Sequence, residues 1–294
     1  MVYQKGMCMT TSSAQKGTKA ELTKKLAMIE DAGPLWRRFD QWWLLFLGVV
    51  VITALLMIQK PDPYLRIVVF LLDGVQVTLS ITVVSFVLIV LAGLIGGLGR
   101  VSKNRLVNGI ASLYVELIRG IPLLVQLMFI YYASPIILRG IGERLVGISP
   151  GIAAKLTSVQ LNPYIAAVAG LTVCYGAYVS EIFRAGIEAI PRGQMEAARS
   201  LGMNYFQSMR FVILPQAVRI ILPPVGNEFV ALLKDSSLVS VVAVADITRR
   251  GREFMSKTFM PLETWLMVAL LYLVMTLFFS RLVAYIERKT SYVR

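Results

Sequence analysis

Glu196-Ala197-Ala198-Arg199-Ser200-Leu201-Gly202, followed by Val212-Ile213-Leu214-Pro215, forms a polar, basic stretch between two intensely apolar runs. Its reading decides the fold. Residues 194–201 are good helix formers apart from Ser200. Pro191 fits a first helical position or the turn before it. Gly202 is the expected stop, because glycine takes the left-handed conformation without a Cβ penalty. Residues 204–212 can form a second short helix, and Pro215 suits the mouth of the next apolar run, where its missing N–H matters least. The expected product is a 191–215 loop that is ordered, helical and held at both ends, with Ala197 and Ala198 as an exposed small-residue face. On composition alone, an amphipathic helix resting on a lipid surface is the favoured reading.

The rest of the chain supplies the membrane. Of 294 residues, 56% are hydrophobic and only 16% charged, with mean hydropathy +0.68. A soluble domain carries about 25% charged residues. The apolar residues come in long runs, so the class is all-α and polytopic. Six spans are expected, at about 42–59, 75–98, 111–137, 164–189, 216–233 and 262–285. The fifth holds Arg219, Pro223, Pro224, Asn227 and Glu228, too polar to face lipid, so it belongs inside a bundle. Residues 237–245 are apolar but too short to cross, which predicts a re-entrant or interfacial segment.

The net charge of +13 reads as cytoplasmic Lys and Arg of a membrane protein rather than as a nucleic-acid footprint. The basic tail of residues 1–40, with a surface helix expected over about 19–31, is placed in the cytoplasm, and no signal peptide is evident. Alternation then puts 99–110, the 190–215 loop and the C-terminus on the same side. Arg249, Arg250, Arg252 and Lys257 conflict with this, falling outside. The chain has no His, no metal-ligand spacing and no GxxxxGK[ST] phosphate loop. Cys8 and Cys174 form no disulfide framework. Gly93 and Gly97 set small residues four apart on the second span, for close helix packing or for gating. Trp42, Trp43 and Trp265 fall at span ends, where interfacial aromatics belong.

The EAA spacing, Gly202 and Leu214-Pro215 resemble the coupling loop of binding-protein-dependent ABC-importer permeases, in the polar amino-acid branch. The resemblance extends to Gly74-Val75-Gln76-Val77-Thr78-Leu79, to residues 114–126, to residues 178–186 and to Leu233-Lys234-Asp235-Ser236-Ser237-Leu238. It covers about residues 67–290. It implies a five-helix type I core, with residues 41–66 adding one span and an external loop. It also implies an ABC ATPase dimer, a second permease subunit (identical or related), an extracytoplasmic solute-binding protein, and a bacterial inner-membrane location with both termini cytoplasmic. ATP-Mg would sit on the ATPase, with no cofactor on this chain. Glu196, Ala197, Ala198, Arg199, Gly202, Leu214 and Pro215 would couple to that ATPase, making the loop a lever.

Charges inside spans mark the expected solute path. At ~1.5 Å per residue, Glu116 lies ~8 Å and Glu181 ~5 Å from the inner boundary, with Glu228 near mid-membrane. Glu116 with Arg119, and Glu181 with Arg184, have i,i+3 spacing, so each pair either neutralises itself or lines the path. Asn227, Glu228, Lys234, Asp235 and Ser236 are expected to border it, offering a carboxylate to an ammonium and donors to a carboxylate. A rival reading is an ion-coupled secondary transporter or channel using Glu116, Glu181 and Glu228.

Overall fold

The computed structural model describes residues 41–290; the expected surface helix at 19–31 lies outside them. The chain divides into two units at Gly48. Among the described residues all regular structure is helical, and six helices are long and apolar enough to cross a membrane. Helix α1 is Gln41–Gln59. Near its start the rings of Trp43 and Phe46 meet edge to face, 6.0 Å between centroids.

Helix α2, Pro61–Val101, has 41 residues. At ~1.5 Å per residue it is about twice as long as the ~30 Å hydrocarbon core. The expected span at 75–98 is its second half. The external loop expected at the end of residues 41–66 is largely absent, since residues 61–66 already belong to this helix. The buried side of its first half, Ile67 and Leu71, packs with Ile247 and Phe254 in a separate small core.

The expected third span at 111–137 is broken. Helix α3, Arg105–Arg119, ends at Gly120, and the chain turns through Ile121-Pro122 before α4, Leu123–Leu145, which carries a π turn at Phe129–Ala133. Pro122 has no N–H to give, and it pushes the residue before it out of the helical region. The side-chain amide of buried Gln126 answers the break, donating to the Ile118 carbonyl (2.8 Å) and the Ile121 carbonyl (2.7 Å). Glu116 therefore sits on a short separate helix.

A short helix α5, Pro150–Thr157, leads to α6, Pro163–Glu188, the most buried span. Helix α6 packs on α2 more extensively than any other pair of elements. The small residues of α2 make this possible. A Cβ at Gly97 would lie 2.5 Å from the Phe183 Cβ and 2.9 Å from the Ser180 carbonyl oxygen, and one at Gly93 would strike Val179. Close packing is thus the structural use of this spacing.

Helix α7, Arg192–Ser200, is the expected loop helix. Helix α8, Tyr205–Val242, follows; it runs through a π turn at Met209–Ile213, regular helix at Leu214–Asp235 and a 3₁₀ stretch at Ser236–Val242. The second loop helix does not stop at 212 but joins the fifth span directly. A π turn immediately before Leu214-Pro215 lets the chain take in Pro215 with its missing donor. The 237–245 segment is largely the 3₁₀ end of this helix, with Val239 and Val242 fully buried.

Helix α9, Ile247–Thr258, is capped by buried Asp246, which accepts from the N–H groups of Thr248 (3.1 Å) and Arg249 (3.0 Å). Burial raises the proton affinity of this carboxyl, and the two backbone donors oppose the shift. The basic residues that conflicted with the charge rule lie on α9. Arg249 and Arg250 pair with Glu253 (3.1 and 2.9 Å), and Arg250 also pairs with Asp73 of α2. Lys257 lies over the Phe70 ring at 5.4 Å. Acidic and aromatic partners on α2 and α9 therefore hold much of this charge. Helix α10, Pro261–Thr290, completes the chain.

Candidate functional site

The expected coupling segment begins where α6 ends. After Glu188 the chain turns at Pro191 and enters α7, which ends in a paired-bond motif. The Met203 N–H donates to the Ala198 carbonyl (3.2 Å) and the Gly202 N–H to the Arg199 carbonyl (3.0 Å), with Gly202 at φ +82°. These are the two bonds of a Schellman cap, and they require the left-handed residue that glycine supplies. Asn204 then caps α8 in a reciprocal box with Gln207 (2.8 and 2.9 Å). Two caps back to back order the junction between α7 and α8.

The face that α7 presents differs from the expectation. Ala198 is 4% exposed, turned inward with half-buried Met195. Ala197 remains outside with Glu196, Arg199 and Ser200. One small residue, flanked by charges, is therefore exposed on α7. Leu214 is half-buried and Pro215 exposed at the start of the regular helix, behind the π turn.

Behind the lever stands an ion ladder. Arg100 at the end of α2 pairs with Glu181, Glu181 with Arg184, and Arg184 with Glu188. The i,i+3 pair foreseen for Glu181 forms and is extended in both directions, tying α2 to the end of α6. The corresponding pair of Glu116 does not form among the described residues. Arg119 instead lies over the Tyr178 ring, 5.2 Å from its centroid.

The path residues separate into groups. Asp235 accepts a hydrogen bond from the Tyr175 hydroxyl (2.7 Å), and Glu228 feels the charges of Asp235 and Arg119. Tyr175 and Tyr178 stand side by side, centroids 6.2 Å apart. Thus α3, α6 and α8 bring two carboxylates, one guanidinium and two phenols into one neighbourhood. Asn227 is exposed on α8. Lys234 lines a crevice of about 350 Å³ with Ala269 and Thr276 of α10. Ser236 is fully buried, its hydroxyl donating to the Leu233 carbonyl (2.8 Å). Arg119 was expected from sequence as the i,i+3 partner of Glu116; Tyr175 and Tyr178 were not singled out as path residues. The available signal was two polar-tipped aromatics inside an otherwise apolar span.

A multi-pass helical membrane protein, with a capped lever between two spans and a polar cluster among its helices, defines a transport subunit. Residues 89–292 match the family described as binding-protein-dependent transport system inner membrane component. The chain belongs to that family and is a permease subunit of an ABC importer, not an enzyme. It is 35% identical over 219 residues to the glutamine transport system permease protein GlnP of Escherichia coli K12, covering 74% of this chain and 92% of that protein. It is 36% identical over 220 residues to the arginine transport system permease protein ArtQ of Bacillus subtilis, covering 75% and 92%. Among solved structures, an amino acid ABC transporter crystallised with histidines is similar at 39% identity and TM-score 0.65, covering 76% of this chain and 96% of that one. An inward-facing MetNI methionine ABC transporter shares the fold at 22% identity and TM-score 0.57, covering 76% and 97%. The ion-coupled rival is not favoured by this membership.

Proposed function

We propose that this chain forms half of the membrane path of an ATP-driven amino-acid importer. Its relatives carry amino-acid names, and the neighbourhood of Glu228, Asp235, Arg119 and the two tyrosines has the charges a zwitterion needs. An ammonium finds carboxylates there, and a carboxylate finds a guanidinium and hydroxyl donors. Asn227 and Arg219 are exposed on a span, a placement that a second membrane subunit or a water-filled path would relieve. That subunit is a second copy or a related chain. An external binding protein delivers the solute. An ATPase dimer carrying ATP-Mg moves α7 through Glu196, Ala197, Arg199 and Gly202, and the termini face the cytoplasm with it. Residues 1–66 stand before the importer core as a tail and an added span.

The observation that carries this reading is the double-capped lever. The test is uptake in proteoliposomes holding this chain, its ATPase and its binding protein. Uptake should require internal ATP and should not follow an imposed ion gradient. Glu228→Gln should lower uptake or change preference among amino acids by roughly tenfold, the scale of one charge-assisted bond of about 1.5–3 kcal/mol. Uptake and preference unchanged in that variant would remove Glu228 from the path.

A further inference from the structure

A cavity of about 1040 Å³ opens between the end of α2, the end of α6, α7 and the start of α8. Its size is at the upper end of the roughly 300–1,000 Å³ usual for ligand sites. The floor is apolar, with Ile187, Ile190 and Ile213 buried in it. Three cations stand on its wall: Lys103 in the turn after α2, and Arg192 and Arg199 on α7. Each is exposed, and none makes an ion pair or side-chain hydrogen bond among the described residues. Glu188 also lines the cavity, but its carboxylate is taken by Arg184. Arg192 and Arg199 are seven residues apart, so about 10 Å along one helix.

We infer that this cavity binds the headgroup of an anionic phospholipid, with an acyl chain on the apolar floor. The inference rests on the reading of α7 as the cytoplasmic lever, which places the cavity at the inner leaflet. Two observations select the occupant. Unpaired cations over an apolar floor complement an amphiphile with a negative head, and basic pockets between membrane helices at the cytoplasmic side bind such lipids. Lys103 on the turn after α2 and Arg192 at the start of α7 form the pair that would hold the headgroup, bridging α7 to the end of α2, while Arg199 belongs to the ATPase contact.

The test uses the complex of this chain with its ATPase, purified from nanodiscs holding equal parts phosphatidylcholine and phosphatidylglycerol, with retained lipid read by native mass spectrometry. The complex should keep phosphatidylglycerol. The double variant Lys103→Gln with Arg192→Gln should hold it roughly thirty-fold more weakly, about fivefold for each cation near a membrane surface. The charge-conserving pair Lys103→Arg with Arg192→Lys should keep it. Equal retention of phosphatidylcholine overturns the proposal, as does equal lipid loss from both double variants. Inorganic phosphate displacing the lipid at millimolar concentration would make this a free-anion site. Lipid present on the isolated chain but absent from the complex would give the cavity to the ATPase interface. Both results overturn the proposal. Failure of the ATPase to co-purify would sink the lever reading instead, which separates the two.

Discussion

At Gly202 the backbone stands at φ +82°, and two hydrogen bonds that close α7 depend on it. Left-handed backbone costs a residue with a Cβ about 1–2 kcal/mol. Gly202→Val should therefore fray the end of α7 without touching the spans. ATP hydrolysis should continue while uptake per ATP falls several-fold; equal transport per ATP in that variant would refute the lever. Gln126 works in the same currency of backbone bonds. Its amide holds two carbonyls exposed by the Gly120–Pro122 break. Gln126→Leu keeps the volume, takes the only recorded donor from the Ile121 carbonyl, at about 1–3 kcal/mol, and leaves the Ile118 carbonyl with the Ile121 N–H at 3.3 Å. The unfolding temperature in detergent should drop clearly, and an unchanged value would show that the break needs no such support. Gly202 was readable in the sequence because a left-handed stop has a residue type of its own. Gln126 was not, since its partners come from a break that hydropathy averages away. Ala198 was placed outside because composition does not give a short helix its rotation; packing against its own spans does.

Among the elements, the seam of α2 and α6 determines how near the path lies to the lever. Gly93 and Gly97 let the two helices touch through backbone. Gly97→Val should push them apart, at about 1–3 kcal/mol for overpacking. The expected result is lower thermal stability and less correctly inserted protein; wild-type stability would show the seam to be loose. The six crossings were legible as apolar runs, and their cores fall where hydropathy places them. Their ends were not legible. Residues 61–74 are helical because Ile67 and Leu71 are covered by α9, a contact nearly 180 positions away in the chain. Asp73 and Glu253 answer the arginines of α9, which a charge count along one loop does not anticipate.

For the whole molecule, the proposed arrangement has this chain supply one wall of a path. Glu228 and Asp235 were legible as costly charges in a span. Tyr175, which donates to Asp235, and Arg119, which lies over Tyr178, come from other helices, so only the fold could join them to the cluster. The ion ladder of Arg100, Glu181, Arg184 and Glu188 ties the end of α2 to the end of α6, the helix that leads into α7. The claim beneath all of this is that α7 touches an ATPase and passes its motion inward. A photoreactive side chain introduced at exposed Ala197 tests it in the intact membrane. The expected result is a cross-link to the ATPase subunit whose yield changes between the nucleotide-free and ATP-bound states. A cross-link to lipid or to this chain alone, the same in both states, while uptake proceeds, would contradict it.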